Sequence, residues 1–220
     1  IITSTGSPLA EESFKYVYDN IKQDVHLASI AGGTDMVGCL ILGNLFSNVY
    51  KGEIQGQSLA IDVDVFTEDG KSAKDGEKGE LVVKQPFPTM PVKFWGDSTG
   101  EKYHNAYFTK FKSIWHHGDF IERTPNNGFI MRGRSDATLN PGGVRIGTSE
   151  IYQQVEDIEY ITEGLVVGQD YNDDVRIILF VTTKDNQELD EEKIKSIKSK
   201  IRKNCSPKHV PSLVIKVPAI

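Results

Sequence analysis

The chain has 220 residues, of which 38% are hydrophobic and 25% are charged, with 20 glycines and 9 prolines. This composition is typical of a globular protein and excludes a disordered or collagen-like chain. The formal net charge of -6 gives no general basic field, so neither nucleic acid nor an anionic membrane surface is expected as a partner.

The two cysteines, Cys39 and Cys205, are too few and too far apart in sequence to suggest a disulfide framework. A reducing cytoplasmic location is therefore expected, and no apolar run reaches the roughly 18–20 residues of a membrane span. Residues 1–6 lack the features of a targeting segment, and both ends of the chain interrupt regular patterns. We expect a piece of a longer protein.

In chain order, residues 8–22 are predicted as a helix, and residues 25–30, 59–66, 79–84 and 128–133 as strands. After Asp136 the pattern alternates: helix at 149–158, strands at 165–167 and 175–183, helix at 189–203 and strand at 211–217. This predicts a mixed α+β fold, with a strand-rich part at 1–135 and a small α+β domain at 136–220.

Residues 32–35, Gly-Gly-Thr-Asp, are the first candidate site. Paired glycines let the backbone approach a ligand closely, and the Thr34 hydroxyl and Asp35 carboxylate suit phosphate and Mg²⁺. A tight turn capped by Thr34 or Asp35 explains the same residues without a ligand.

Residues 115–119, Trp-His-His-Gly-Asp, are the second candidate site. His116, His117 and Asp119 are possible zinc ligands, as in a metallohydrolase. Neighbouring side chains on a strand point to opposite faces, so the two histidines are not expected to share one ion. A carboxylate that binds some polar ligand is the preferred interpretation.

The densest polar stretch covers residues 132–151. Arg134 and Arg145 suit phosphate and ribose oxygens, and Gly142 and Gly143 permit a tight turn or a close ligand approach. A polar interdomain linker explains the stretch equally well. Further along lies a basic cluster, interpreted either as a solvated helix face or as a site for an anionic cofactor. Its members are Lys193, Lys195, Lys198, Lys200, Arg202 and Lys203.

Taken in order, these segments resemble the motifs of the adenylate-forming superfamily, which includes acyl-CoA synthetases, luciferases and peptide-synthetase adenylation domains. The similar segments are residues 5–9, 32–35, 79–95, 117–119 and 133–151. Within the superfamily the sequence resembles acetoacetyl-CoA synthetases, notably at residues 50–55, 115–119, 133–141, 145–152 and 209–213. The resemblance implies the end of a large AMP-binding domain followed by a small mobile domain.

The resemblance implies an ATP-dependent acid–thiol ligase that activates acetoacetate as acyl-AMP, releases pyrophosphate, and transfers the acyl group to CoA. Acetyl-CoA synthetases carry Trp at the position of Gly32, so Gly32 is expected to leave room for a longer acid. Two alternatives stay open: another acyl-CoA synthetase or carrier-protein ligase of the superfamily, and a nucleotide-binding module without catalysis. The oligomeric state stays open as well.

The resemblance also implies roles toward ATP and Mg²⁺, residue by residue. Thr34 would bind phosphate, and Asp35, where the family has Glu, would help to hold Mg²⁺. Asp119 and Arg134 would hold the ribose, and Arg145 would contact the adenylate phosphate. The glycines Gly32 and Gly33 belong to the same motif as Thr34, and the segment implied to lie against adenine contains Gly6, Ser7 and Pro8.

For the second half-reaction, the resemblance implies that Asp136 is the hinge of the small domain. Gly143 would line the path of the CoA pantetheine, and Arg202 would contact the CoA nucleotide. The family's adenylation lysine would follow Ile220, and the glycine-rich phosphate loop would precede Ile1. The isolated chain is therefore expected to be inactive.

Overall fold

The structure is a computed structural model that describes residues 1–172 and 174–220. Contacts divide the chain into two compact units, Ile1–Arg132 and Gly133–Ile220, close to the position at which the sequence pattern changes. Both units are mixed α+β, as predicted, and each contains its own hydrophobic core. No helix of the described residues is long and apolar enough to cross a membrane.

The first unit begins with strand β1 (Ile2–Ser4), which pairs in parallel with β2 (Leu27–Ser29). Between them lies helix α1 (Glu11–Tyr16), which continues as a π-helical turn over Val17–Ile21. The predicted helix at 8–22 is thus confirmed, but it begins at Glu11 rather than at Pro8. Two acidic residues in its first turn complement the helix dipole, and Phe14 anchors it in the interior.

A small antiparallel sheet follows, made of β3 (Ala31–Gly33), β4 (Gly38–Leu42) and β5 (Gly56–Gln57). The loop between β4 and β5 is anchored by the buried side chain of Gln55. Its amide nitrogen donates to the carbonyl oxygens of Asn44 and Ser47, both at 2.9 Å, and its amide oxygen accepts from the Asn44 N–H at 3.0 Å. One side chain therefore orders a loop that has no regular structure of its own.

The larger sheet of the first unit has the strand order β6 (Val63–Phe66), β7 (Lys78–Val83), β8 (Trp115–Arg123) and β9 (Phe129–Arg134). Helix α2 (Glu101–Tyr107) lies in the connection between β7 and β8. The core of the unit contains fully buried side chains of these sheets: Leu40, Ile41, Val65, Leu81 and Ile121. The strands predicted at 59–66, 79–84 and 128–133 are confirmed, whereas α2 was not predicted.

A fully buried carboxylate lies in this sheet. Glu80 on β7 is fully buried, and its carboxylate contacts the Lys110 ammonium and, at 2.9 Å, His116 Nε2. Lys110 lies in the connection before β8 and His116 lies on β8. Buried carboxylates are tolerated when they are paired in this way.

The second unit contains helix α3 (Thr148–Val155) and the antiparallel hairpin β10 (Ile161–Tyr171) and β11 (Asp174–Thr183). Helix α4 (Glu191–Asn204) follows, and β12 (Leu213–Lys216) pairs in parallel with β11. The predicted helices and the strands at 175–183 and 211–217 are confirmed, while the strand at 165–167 is the middle of the longer β10. Apolar residues from α3, α4 and the sheet form the second core: Ile151, Leu179, Val181, Ile197 and Ile201.

Candidate active site

The Gly-Gly-Thr-Asp segment forms the end of β3 and the start of its hairpin to β4. The Val37 N–H donates to the Thr34 carbonyl oxygen at 3.1 Å, which closes the turn. Met36 is 1% exposed and anchors the loop, whereas the side chains of Thr34 and Asp35 are exposed. A hydroxyl and a carboxylate are thus presented to solvent from one short, anchored loop.

Gly32 does not create the expected space for a longer acid. A Cβ atom built on Gly32 would lie 2.0 Å from the carbonyl oxygen of Gly38 and 2.6 Å from the Cα of Cys39. The main chain of β4 therefore occupies the direction in which a side chain would project, and Gly32 pairs with Cys39 at an irregularity of the ladder. The interpretation of Gly32 as an open acyl pocket is wrong for this backbone; the glycine allows two strands to approach closely.

The Trp-His-His-Gly-Asp segment forms a bulge in β8. Val82 of β7 pairs with His116, and Glu80 pairs with Phe120. Residues 117–119 of β8 therefore lie opposite a single residue of β7, Leu81. Gly118, at the centre of the bulge, has φ +84°, a conformation that glycine adopts without strain. The bulge holds His117 and Asp119 in the interior, with 8% and 6% of their surfaces exposed.

Hydrogen bonding determines which nitrogen of His117 carries the proton. The Trp115 indole N–H donates to His117 Nδ1 at 3.2 Å, so Nδ1 is an acceptor and the proton lies on Nε2. Nε2 lies 3.7 Å from the Asp119 carboxylate. The imidazole also packs on β3, since a Cβ on Gly33 would lie 2.9 Å from His117 Cε1. The structure thus brings the two candidate segments of the first unit together.

Tyr107, which the sequence analysis did not single out, joins the same site. Its hydroxyl donates to the Asp35 carboxylate, although the two residues are 72 positions apart. The Tyr107 ring stacks on Trp115, with centroids 3.6 Å apart and planes 12° apart. The sequence signal was the pair Tyr103 and Tyr107, which lie one helical turn apart on α2.

The zinc interpretation of this segment gains no support. His116 contacts Glu80 while His117 contacts Trp115, so the two histidines have different partners, as expected for neighbours on a strand. Within residues 1–172 and 174–220, no group of three or more His, Cys, Asp or Glu side chains is arranged to hold a metal ion.

The segment expected to lie against adenine follows β1. The Ile30 N–H donates to the Ser4 carbonyl oxygen at 2.9 Å, so this loop starts beside the residue that precedes β3. Gly6 has φ +92° and Ser7 is exposed, while Pro8 is partly buried. The loop is therefore attached to the strand that leads into the Gly-Gly-Thr-Asp turn.

In the second unit, residues 135–146 lie in the loop between β9 and α3. The main chains of Leu139 and Ile146 exchange hydrogen bonds of 2.9 and 2.8 Å. Thr138 reinforces this pairing, because its hydroxyl donates to the Ser135 carbonyl at 2.8 Å and accepts from Arg145 Nε at 3.2 Å. The candidate residues Arg134 and Asp136 are both exposed, and Arg134 Nε lies 3.6 Å from Asp136 Oδ1. Gly133 has φ +116°.

Gly142 and Gly143 lie at the tip of this loop. The Gly142 N–H donates to the Asp174 carboxylate at 2.7 Å, and this hydrogen bond, with another from the Val175 N–H, lowers the pKa of Asp174. Gly143 has φ +76°, and apart from its chain neighbours no atom of the described residues lies within 4 Å of the position of a Cβ. It borders an open cleft of about 600 Å³ whose other walls include Asn140 and Tyr171.

The basic cluster on α4 is mostly paired within the unit. Lys200 contacts the Asp157 carboxylate, and Lys198 Nζ donates to the Ser212 carbonyl oxygen at 2.8 Å. Arg202 is exposed and makes no hydrogen bond or ion pair with the described residues. The solvated-face interpretation therefore fits most of the cluster, and Arg202 keeps its guanidinium available.

No protein-family profile matches the chain, but individual proteins do. It is 55% identical over 217 residues to an acetoacetyl-coenzyme A synthetase of Rhizobium meliloti (strain 1021), which covers 99% of the chain and 33% of that relative. It is 46% identical over 222 residues to an acetoacetyl-CoA synthetase of Gallus gallus, covering 100% and 33%.

Among solved structures, an acetoacetyl-CoA synthetase from Streptomyces lividans superimposes with a TM-score of 0.89 at 39% identity, over 99% of this chain and 33% of that one. The chain thus spans about a third of the length of the relatives that it matches. Over nearly all of its residues, the chain is thus similar in sequence and in fold to about one third of an acetoacetyl-CoA synthetase, an adenylate-forming enzyme.

Proposed function

We propose that the chain is part of an acetoacetate–CoA ligase. In that reaction a carboxylate oxygen of acetoacetate attacks the α-phosphorus of ATP, the bond to pyrophosphate breaks, and the CoA thiol then displaces AMP from the acyl carbon. The observation that carries the proposal is the packing of His117 against Gly33, which places Thr34 and Asp35 beside the strand that bears Asp119.

The exposed loop fits a magnesium–nucleotide complex. Mg²⁺ is usually held by one or two carboxylates together with substrate phosphates and water, and Asp35 presents one exposed carboxylate next to the Thr34 hydroxyl. When bound, the ion would neutralise charge on the phosphates. Asp35 would hold the ion and Thr34 would donate a hydrogen bond to a phosphate oxygen.

The remaining oxygen contacts come from residues with the right chemistry. Asp119 accepts hydrogen bonds only, which suits ribose hydroxyls, and the guanidinium groups of Arg134 and Arg145 donate to ribose or phosphate oxygens. The Thr138 hydroxyl accepts a hydrogen bond from Arg145 Nε at 3.2 Å, which helps to fix the orientation of the guanidinium. Catalysis of the first step then depends on positioning and on stabilisation of phosphate charge.

For the second step, the open cleft beside Gly143 supports a path for the CoA pantetheine, because apart from its chain neighbours no side chain of the described residues lies within 4 Å of the position of a Cβ on Gly143. Arg202 would bind a phosphate of the CoA nucleotide, and Asp136, in the exposed turn that follows β9, would act as the hinge of the small unit. We assign the protein to the cytoplasm, in keeping with its two free thiols.

The test is pyrophosphate release by the full-length protein with acetoacetate, acetate, propionate and butyrate. Preference for acetoacetate, lost in Asp119→Ala and kept in the exposed-site control Asp24→Ala, is the expected result. Preference for another acid would assign the protein to a different acyl-CoA synthetase activity. This is the second candidate function, because β4 fills the space at Gly32 and so gives no reason to prefer a longer acid. Release with none of the acids would favour a nucleotide-binding module without catalysis.

A further inference from the structure

The exposed Asp35 carboxylate is held from the side by α2. Of the two carboxylate oxygens, Oδ2 accepts the hydrogen bond of the Tyr107 hydroxyl. A short side chain on an exposed loop otherwise rotates freely, and a ligand that needs one orientation must order it on binding. A fixed donor to one oxygen removes that freedom in advance.

Tyr107 is itself well fixed. It is the last residue of α2, whose start is stabilised by the buried Asp97: the Asp97 carboxylate accepts the Tyr103 N–H at 2.9 Å. The Tyr107 ring lies flat on Trp115, which is 2% exposed. The hydroxyl is thus presented to Asp35 by a stacked ring on a rigid base. Such a ring has few alternative positions.

The chemistry of the pair suits a metal-facing carboxylate. A phenol hydroxyl donates its hydrogen bond without adding a charge. A lysine at this place would compete with a cation for the same carboxylate, whereas a phenol leaves the full negative charge available. Oδ1 of Asp35 remains for the ligand.

We propose that Tyr107 is a positioning residue for the magnesium–ATP complex, acting through Asp35. This inference rests on the proposed function, because it presumes that Asp35 faces the metal–nucleotide complex. Tyr107 itself does not touch the reacting atoms. Its role is to hold one oxygen of Asp35 so that the other is oriented before the ligand arrives.

The test is Tyr107→Phe in the full-length protein, which keeps the stacked ring and removes only the hydroxyl. We expect ATP binding in the presence of Mg²⁺, measured by calorimetry, to weaken about three- to tenfold, as for the loss of one charge-assisted hydrogen bond at an exposed site. Binding of ATP in EDTA and the KM for acetoacetate should stay within twofold of the wild-type values.

Tyr103→Phe is the matched control. Tyr103 belongs to the same aromatic cluster, packing against Tyr107 and Trp115, but its hydroxyl is buried without a hydrogen-bond partner among the described residues. Its removal should leave magnesium-dependent ATP binding unchanged. If Tyr103→Phe weakened that binding as much as Tyr107→Phe, the effect would come from packing and the proposal would be overturned.

A double-mutant cycle separates action through Asp35 from a direct effect. In an Asp35→Asn background, Tyr107→Phe should cause no further loss of magnesium-dependent ATP binding. An equal loss in both backgrounds, or wild-type affinity of Tyr107→Phe alone, would overturn the proposal. If the wild-type protein bound magnesium–ATP and showed the expected cycle but released no pyrophosphate with any acid, the ligase activity would fail while the role of Tyr107 stood.

Discussion

Replacement of Gly32 by alanine tests the reading of the Gly-Gly turn as a close strand contact. The added Cβ would lie 2.0 Å from the Gly38 carbonyl oxygen and 2.9 Å from its carbonyl carbon. Both are main-chain atoms, so relief requires movement of β4 by roughly 1 Å, with loss of ladder pairing. Overpacking costs about 1–3 kcal/mol and a lost hydrogen bond about 1 kcal/mol. We expect Gly32→Ala to lower the free energy of unfolding by about 2–4 kcal/mol.

The assay is urea denaturation of the full-length protein, combined with amide exchange in peptides that cover β3 and β4. Gly38→Ala is the control, because its Cβ would meet its nearest neighbours, Met36 and Thr89, at an ordinary 3.7 Å. It should change stability by less than about 0.5 kcal/mol. Gly33→Ala should fall between the two, since only the movable His117 side chain lies at 2.9 Å. Equal stability of Gly32→Ala and wild type would refute the argument.

Three further predictions concern the second unit. Desolvation, with the nearby Asp157, raises the pKa of Glu156, although the residue is exposed. Its ionisation therefore costs some stability as the pH rises, so Glu156→Gln should stabilise the protein slightly at pH 7 and not at about pH 3, as measured by urea denaturation. The pKa of Asp174 is lowered, so its carboxylate accepts the Gly142 N–H at neutral pH and loses this hydrogen bond only when it protonates in acid. Protection of the Gly142 amide in hydrogen exchange should therefore fall only below about pH 4. Gly143→Leu should strain a φ of +76° and fill the cleft, lowering thioester formation more than tenfold while acid-dependent pyrophosphate exchange remains.

The regular elements of the second unit were predictable because their patterns are strong. Residues 177–181 are a continuous apolar run, and Ile194, Ile197 and Ile201 repeat at helical spacing, as a buried strand and an amphipathic helix require. Helix α2 was missed because it has only seven residues, none of them fully buried, and only Tyr103 and Tyr107 turn toward the core. Strand β8 was hidden because the polar bulge at His117 and Asp119 interrupts the alternation by which a strand is recognised.

The candidate site was predictable as motifs but not as an arrangement. Thr34, Asp35 and Asp119 could be located from local composition and family resemblance. The packing of Gly33 on His117 and the hydrogen bond from Tyr107 to Asp35 join positions that are remote in sequence. Such pairs depend on how strands and helices pack, which no local pattern encodes. The same limit explains the error at Gly32, where absence of a side chain was taken for empty space.

The buried Glu80 has a consequence for how this sequence can change over evolutionary time. Two of its partners, Lys110 and His116, come from different segments, so loss of Lys110 removes a cation that compensates the buried carboxylate. Removing one partner of a buried ion pair typically costs about 3–5 kcal/mol, whereas replacing the whole group by apolar residues of similar volume is often neutral. Substitutions at these three positions are therefore expected to be coupled, and relatives that lack Glu80 are expected to have exchanged Lys110 and His116 as well.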